Sequence, residues 1–228
     1  MLRVGHKGAD AVVPGNTLES FDAARGLGVD MIEFDVLPTA DGRLVLAHDY
    51  EDVGRREALE LAEALDHLAQ GAFAGLELDV DLKLPGYERE VVEALDARGL
   101  AERALVSTVW PDSLDRLGEL RPGLRRGWSV PRARRDYTQG RATVLPAHAM
   151  LAYGRRALPR RAAAMLRAHR CEAVMAYHRL VTPALLPAVH GEGGRLFVWT
   201  VDESGALRRM RTLGVDGVIT NDPRLFAS

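Results

Sequence analysis

The stretch Met31–Val36, with the sequence MIEFDV, decides the fold that the sequence predicts. It is a short apolar run with carboxylates at two alternate positions, and side chains two residues apart on a strand face the same side. Short apolar runs rich in β-forming residues indicate buried strands of a parallel sheet. A second run of this kind, Leu76–Lys83, carries Asp79, Asp81 and Lys83 on one face.

Strand-like runs alternate with amphipathic stretches along the whole chain. This alternation predicts β–α units in an α/β protein, and eight parallel strands with helices between them close best as a single (β/α)8 TIM barrel over residues 1–228; a doubly wound sheet is the alternative. The predicted strands are Leu2–Gly5, Met31–Val36, Leu76–Lys83, Ala104–Thr108, Arg125–Val130, Ala173–Tyr177, Leu196–Val201 and Gly217–Thr220. The predicted helices are Thr17–Gly26, Arg56–Gln70, Glu88–Arg98, Asp112–Leu120, Pro159–His169, Thr182–Glu192 and Glu203–Leu213.

Two segments depart from this regular pattern. Leu44–His48 is predicted as a short extra hairpin strand after the second strand, since Asp41-Gly42 is a turn sequence. Pro131–Leu158 fits no single β–α unit and is predicted as a loop with a short helix. The first helix is expected to be capped by Asn16 or Thr17.

Composition narrows the class of protein. The chain has 228 residues, a net charge of −2 and an apolar share of 47%, so neither nucleic acid nor stable membrane anchoring is expected. It enters its first predicted strand without an apolar signal segment, and we expect a cytoplasmic location. The single cysteine, Cys171, cannot form an internal disulfide, which fits a reducing compartment.

Four carboxylates are predicted at the mouth of the barrel, where active sites of this fold lie. Glu33 and Asp35 share one face of the second strand, and Asp79 and Asp81 repeat the spacing on the next. Carboxylates grouped on a buried surface repel one another, and a cation relieves this repulsion. Oxygen ligands favour Mg²⁺ or Ca²⁺ over zinc.

Two histidines follow strand-like runs at the same end of the predicted barrel. His6 comes after the first strand, and His48 ends the hairpin strand. A lone histidine there is more often structural. Two beside a carboxylate cluster are suited to general acid and base catalysis, because the imidazole pKa lies near neutrality.

Lysine is rare in this chain, since 28 of the 30 basic residues are arginine. The two lysines, Lys7 and Lys83, both fall beside the predicted carboxylate cluster, which indicates a need specific to these positions. A lysine there can bind a phosphoryl oxygen. Trp199, on the seventh predicted strand, is either a core residue or a wall of the ligand pocket.

These motifs, taken together, resemble the glycerophosphodiester phosphodiesterase family, which belongs to the superfamily of phosphatidylinositol-phosphodiesterase-like TIM barrels. The resemblance covers nearly the whole chain in the family's order. It consists of His6-Lys7-Gly8, Pro14-Gly15-Asn16-Thr17, Glu33-Phe34-Asp35-Val36, Asp41-Gly42, His48-Asp49, Asp81-Leu82-Lys83, Trp199-Thr200-Val201 and Asp216–Asp222.

The resemblance implies a metal-dependent hydrolysis of glycerophosphodiesters to sn-glycerol 3-phosphate and an alcohol. Glu33, Asp35 and Asp81 would bind a divalent cation, Mg²⁺ or Ca²⁺, and the two histidines would be the general acid and base. The substrate would be a small-molecule phosphodiester, bound by Lys83 and the wall residue Trp199. Lys7 is predicted as a further substrate-binding residue.

The chain departs from the family pattern at three points. Lys7 stands where the family has arginine, and Asp81 where most members have glutamate. Only the 32 residues 49–80 separate His48 from Asp81, where the family usually carries a larger insertion. Two alternatives remain: a sphingomyelinase D-like enzyme acting on lysophospholipids, and a phosphodiester-binding barrel with weak turnover.

Overall fold

One sheet forms the centre of the molecule in a computed structural model, which describes residues 1–55, 57–132 and 144–227. Within these residues its nine strands are β1 (Leu2–Gly5), β2 (Met31–Pro38), β3 (Leu44–Leu46), β4 (Glu77–Leu82), β5 (Ala104–Thr108), β6 (Arg125–Val130), β7 (Ala173–Tyr177), β8 (Arg195–Trp199) and β9 (Gly217–Thr220).

The sheet closes on itself because β1 pairs in parallel with both β2 and β9, so Val4 lies opposite Met31 on one side and Ile219 on the other. Eight parallel strands thus form the predicted barrel. β3 lies outside it and pairs antiparallel with β2, with Val36 opposite Leu46, as the predicted hairpin requires.

Helices surround the barrel and join its strands. They are α1 (Leu18–Gly26), α2 (Tyr50–Arg55), α3 (Leu61–Leu68), α4 (Glu88–Asp96), α5 (Pro111–Leu120), α6 (Val144–Arg167), α7 (Leu185–His190) and α8 (Ser204–Leu213). Alternate residues of each strand face these helices, so that Phe34 packs at 5.7 Å between ring centroids against Phe21 of α1. The opposite face of the strands fills the barrel with residues such as Met31, Met175 and Phe197.

The first helix begins at its predicted position, and its cap settles a choice that the sequence left open. Thr17 is the N-cap: its side chain accepts the Ser20 backbone N–H at 3.1 Å, while Ser20 Oγ accepts the Thr17 N–H at 3.3 Å. These two bonds satisfy backbone donors that a helix start leaves free. Asn16 therefore does not cap α1.

Two predicted segments were wrong. The single helix predicted over Arg56–Gln70 is interrupted: residues 57–59 are not helical, and Glu60 forms a bridge with Val45 before α3 begins. Arg56 itself lies outside the described residues. In Pro131–Leu158, which was predicted as a loop with a short helix, residues 144–158 belong to the long helix α6, which continues through Pro159. Residues 133–143 lie outside the described residues.

The described helices include none long and apolar enough to cross a membrane.

Candidate active site

A cleft of about 200 Å³ opens at the carboxyl ends of the barrel strands. Parallel strands bring the ends of neighbouring chain segments to one edge, so residues far apart in sequence meet there. Six of the eight predicted site residues line this cleft: His6, Glu33, His48, Asp81, Lys83 and Trp199. The remaining two, Asp35 and Lys7, lie next to it, as their contacts below describe.

The three predicted metal ligands converge. Asp35 and Asp81 face each other across the β2–β4 pair, and one carboxylate oxygen from each of Glu33, Asp35 and Asp81 lies within 4.8 Å of the other two. Three carboxylate oxygens at this spacing fit a hard divalent cation such as Mg²⁺ or Ca²⁺. The donor set contains no thiolate or imidazole, which zinc sites usually include.

Lys83 partly neutralises this cluster. Its Nζ lies 2.5 Å from Asp35 Oδ1 and 2.7 Å from Asp81 Oδ2, while Asp35 is fully buried. Burial alone would lower the pKa of Lys83, but the surrounding carboxylates outweigh it and hold that pKa well above its usual value. For Asp35 the signs are reversed. Burial alone would raise its pKa, but the positive charges of Lys83 and Lys7 hold that pKa below its usual range.

Glu33, one of the three converging residues, lies beside a fourth carboxyl group, that of Asp79, deeper in the barrel. Glu33 and Asp79 are paired in register, and both are almost fully buried. Burial raises the pKa of each well above its ordinary value, and the neighbouring carboxylates add to the shift. Within the described residues, Asp79 Oδ1 has no hydrogen-bond partner. Burial therefore favours the neutral form of these two groups, and the positive charge of a bound cation would lower the pKa of Glu33 and allow it to ionise as a ligand.

The turn after β1 places Lys7 beside the carboxylates. Lys7 and Gly8 both have positive φ, 51° and 86°, and a side chain on Gly8 would come within 2.6 Å of the Ser20 backbone. The Lys7 backbone N–H donates to Glu33 Oε2 at 2.9 Å. Its Nζ lies 4.0 Å from both Asp35 Oδ2 and Asp10 Oδ2, so the side chain points towards the cluster.

His6 is held by a chain of hydrogen bonds. Its Nδ1 lies 2.5 Å from Asn221 Oδ1, and Asn221 Nδ2 donates to Asp202 Oδ2 at 2.6 Å. Because the Asn221 carbonyl oxygen can only accept, Nδ1 carries the proton and Nε2 is left as an acceptor. Burial lowers the pKa of His6, so the ring is neutral near pH 7 and can accept a proton through Nε2.

His48 and Trp199 border the cleft in more open positions. The His48 side chain is 48% exposed, and its Nδ1 lies 3.5 Å from Asp49 Oδ2. Trp199 donates its Nε1–H to the Met175 carbonyl oxygen at 2.9 Å, and its ring packs at 5.5 Å from Tyr177. The fixed indole therefore forms a wall of the cleft, the second of the two roles considered for it.

The two asparagines of the chain contribute positions that the sequence reasoning did not assign. Asn16 donates to Asp35 Oδ2 at 3.1 Å and accepts the Asp35 backbone N–H at 3.2 Å, so it orients a predicted ligand. Asn221 orients His6 as described. The sequence did contain a signal for their role, because asparagine occurs only at these two positions and both lie inside the motifs.

A sequence profile of the glycerophosphoryl diester phosphodiesterase family matches residues 6–72 and 77–225. The chain belongs to this family. It is 29% identical to a glycerophosphodiester phosphodiesterase of Caldanaerobacter subterraneus subsp. tengcongensis over 97% of this chain and 94% of that protein. The protein is accordingly a phosphoric diester hydrolase of the glycerophosphodiester phosphodiesterase type.

Solved structures of similar proteins share the barrel. A glycerophosphodiester phosphodiesterase of Agrobacterium tumefaciens aligns with a TM-score of 0.72 at 20% identity, covering 100% of this chain and 97% of that one. An Oleispira antarctica phosphodiesterase, solved with its product sn-glycerol 3-phosphate, aligns with a TM-score of 0.72 at 19% identity over 100% and 97% of the two chains. At these identities the likeness establishes the fold.

Proposed function

We propose that the cleft hydrolyses glycerophosphodiesters to sn-glycerol 3-phosphate and an alcohol, using a divalent cation held by Glu33, Asp35 and Asp81. The observation that carries this proposal is the convergence of those three carboxylates beside His6 and His48 in one cleft. The Oleispira antarctica relative, which was solved with sn-glycerol 3-phosphate, supports the choice of product.

The two histidines differ in their surroundings, and this difference assigns their roles in the proposal. His6 is the general base, because Asn221 fixes the proton on Nδ1 and burial keeps the ring neutral. Its Nε2 takes the proton of the attacking group, which is either water or a substrate hydroxyl. If a substrate hydroxyl attacks, a cyclic phosphate forms, and water opens it in a second step to give sn-glycerol 3-phosphate. His48, more exposed and close to Asp49, gives a proton to the departing alcohol oxygen.

The charged residues bind and orient the phosphate. When bound, a divalent cation supplies positive charge that stabilises the negative charge growing on the phosphoryl oxygens. The Lys83 ammonium, which reaches into the cleft, adds positive charge to the same space, and Lys7 contributes from the β1 side. Trp199 limits the cleft on the side of β8 and excludes water there.

The proposal is tested by following glycerophosphocholine and lysophosphatidylcholine by ³¹P NMR in the presence of Mg²⁺ or Ca²⁺. We expect sn-glycerol 3-phosphate from the first substrate. His6→Ala and His48→Ala should each lower kcat by about 10²-fold or more. His190→Ala is the control, because His190 pairs with Asp216 away from the cleft.

Three results would contradict the proposal. Unchanged turnover in His6→Ala would show that His6 is not the general base. Preferential cleavage of lysophosphatidylcholine would favour the sphingomyelinase D-like alternative, and binding of glycerophosphocholine without turnover would favour the weak binding barrel.

A further inference from the structure

A second cavity lies beside the catalytic cleft. Its volume is about 480 Å³, and it is bordered by α6, by the turn that follows β7 and by α8. The charged residues that line it are Arg155, Arg179, Arg209 and Glu203. We refer to this space as the arginine cavity. With three guanidinium groups against one carboxylate, its lining has a net charge of +2 when His178, which also borders it, is neutral.

Two of these arginines are anchored to the backbone and have no acidic partner within the described residues. Arg155 Nε donates to the Arg179 carbonyl oxygen at 2.7 Å, and Arg209 Nη2 donates to the Val181 carbonyl oxygen at 2.7 Å. Across the described part of the chain, neither forms an ion pair with a carboxylate. Both guanidinium groups are therefore oriented, and no carboxylate of the described residues neutralises either of them, an arrangement that suits an anionic ligand.

Several other arginines among the described residues, in contrast to Arg155 and Arg209, form ion pairs with carboxylates. Arg125 pairs with Glu77 at 2.5 Å and Arg121 pairs with Glu102 at 2.8 Å. Arg170 and Arg167 also have carboxylate partners, Asp115 and Glu192. Other described arginines, such as Arg103, also lack a carboxylate partner, so what distinguishes the arginine cavity is that three guanidinium groups line one space.

The distribution of charge along the chain supports an anionic ligand on this side of the barrel. Residues 1–120 contain 11 basic and 25 acidic residues, a net charge of −14, whereas residues 121–228 contain 19 and 7, a net charge of +12. β6 to β9, together with α6 and α8, come from the second part. A field of this sign attracts anions to that side.

Three aromatic rings in contact connect the lining of the arginine cavity with that of the catalytic cleft. Trp199 lines the cleft and His178 lines the arginine cavity, and the Tyr177 ring touches both. The Tyr177 centroid is 5.5 Å from that of Trp199 and 4.8 Å from that of His178. The two outer rings are therefore no more than about 10 Å apart, so the two spaces lie close together.

We propose that the arginine cavity binds an anionic group, such as a phosphate monoester, on the alcohol part of the phosphodiester substrate. This inference rests on the proposed function of the cleft and adds a substrate class to it: diesters whose alcohol carries a second negative charge. A guanidinium group matches a phosphate with two parallel N–H···O bonds, and a neutral alcohol offers no such contact. Glu203 would oppose the anion and limit its affinity.

The test compares two substrates that differ by one phosphate, glycerophosphoinositol and glycerophosphoinositol 4-phosphate. The wild type should show a kcat/KM at least about tenfold higher for the phosphorylated diester, because the extra phosphate forms charge-assisted hydrogen bonds. In the Arg155→Gln/Arg209→Gln variant this ratio should fall to about twofold or less. Arg156→Gln/Arg208→Gln removes the same charge from neighbouring positions of α6 and α8 and should keep the ratio of the wild type.

The inference would be overturned by equal kcat/KM values for the two diesters in the wild type. It would also be overturned if the ratio survived in Arg155→Gln/Arg209→Gln, or if it fell equally in the control variant.

A binding measurement separates this inference from the proposed function. If neither diester is hydrolysed, the proposed function fails, and calorimetric titration with inositol 4-phosphate decides the status of the cavity. Binding to the wild type and the control variant, with at least about tenfold weaker binding to Arg155→Gln/Arg209→Gln, would support the arginine cavity as an anion site. No binding to the wild type, or equal binding to all three proteins, would overturn it.

Discussion

Replacement of Asn221 by alanine tests how the protein prepares its general base. Asn221 Oδ1 lies 2.5 Å from His6 Nδ1, and we infer that this contact keeps the proton on Nδ1 and the lone pair on Nε2. A neutral hydrogen bond contributes about 0.5–1.5 kcal/mol, which corresponds to a roughly 2- to 12-fold bias between two ring states. Asn221→Ala should therefore lower kcat by about tenfold, and by no more than the loss of His6 itself.

The pH profile distinguishes this effect from general damage. The hydrogen bond to Asn221 raises the pKa of His6 in part, against the larger lowering caused by burial. Its removal should lower that pKa further. Because the base must be unprotonated, activity is lost as the pH falls through the pKa of His6, and the acid limb of the kcat/KM profile should move to lower pH in Asn221→Ala.

The assay is steady-state hydrolysis of glycerophosphocholine across the pH range, with thermal unfolding as a control for folding. A lower plateau combined with an acid limb displaced to lower pH would support the argument. Wild-type kcat, or a lower kcat with an unmoved acid limb, would refute the role assigned to Asn221.

Three further substitutions probe the charged cluster. Lys83→Met leaves Asp35 buried without its 2.5 Å partner, and should reduce the free energy of unfolding, measured with urea in chelator, by about 3–5 kcal/mol; a loss below about 1 kcal/mol would contradict the pairing. Burial raises the pKa of Asp79, so the wild type loses stability as the pH rises from about 4 towards that pKa. The free energy of unfolding of Asp79→Asn, relative to that of the wild type, should therefore increase from about pH 5 to pH 8. A difference between the two proteins that does not change with pH would contradict this. Lys7→Ala should lower kcat/KM by roughly 10²-fold whereas Lys7→Arg keeps activity; equal values for wild type and both variants would leave Lys7 without a role.

The strands were predictable because each is a short apolar run between polar turns. The observed bounds of β1, β5, β6, β7 and β9 equal the predicted ones, and the alternation of Glu33 and Asp35 gave the face that they share. This local pattern was sufficient because strand residues alternate between the helix layer and the barrel interior.

The helical errors came from tertiary contacts and from proline. Glu60 pairs with Val45 of the hairpin strand, and this contact across the fold interrupts a segment whose local sequence favours one helix. In α6, Pro159 suggested a helix start, yet the helix runs through it. Alanine, leucine, methionine and arginine dominate this segment, and their helix propensity outweighs one proline when packing supports the helix.

The site residues were partly predictable because their motifs lie at strand ends. Spacing placed Asp81 and Lys83 on one face, but the pairing of Lys83 with Asp35 depends on the register between β2 and β4, which the sequence does not encode locally. The bond from His6 to Asn221 joins the two ends of the chain. It exists because closure of the barrel places β1 next to β9.

The most direct test of the proposed metal-dependent site is the rate of glycerophosphocholine hydrolysis after removal of divalent cations. The wild type, freed of metal by EDTA and gel filtration, should lose at least about 10²-fold of its activity, because the carboxylates of Glu33, Asp35 and Asp81 would then repel the phosphate. Readdition of Mg²⁺ or Ca²⁺ should restore formation of sn-glycerol 3-phosphate, but not in Asp35→Ala. Full activity of the metal-free protein would contradict the proposed site.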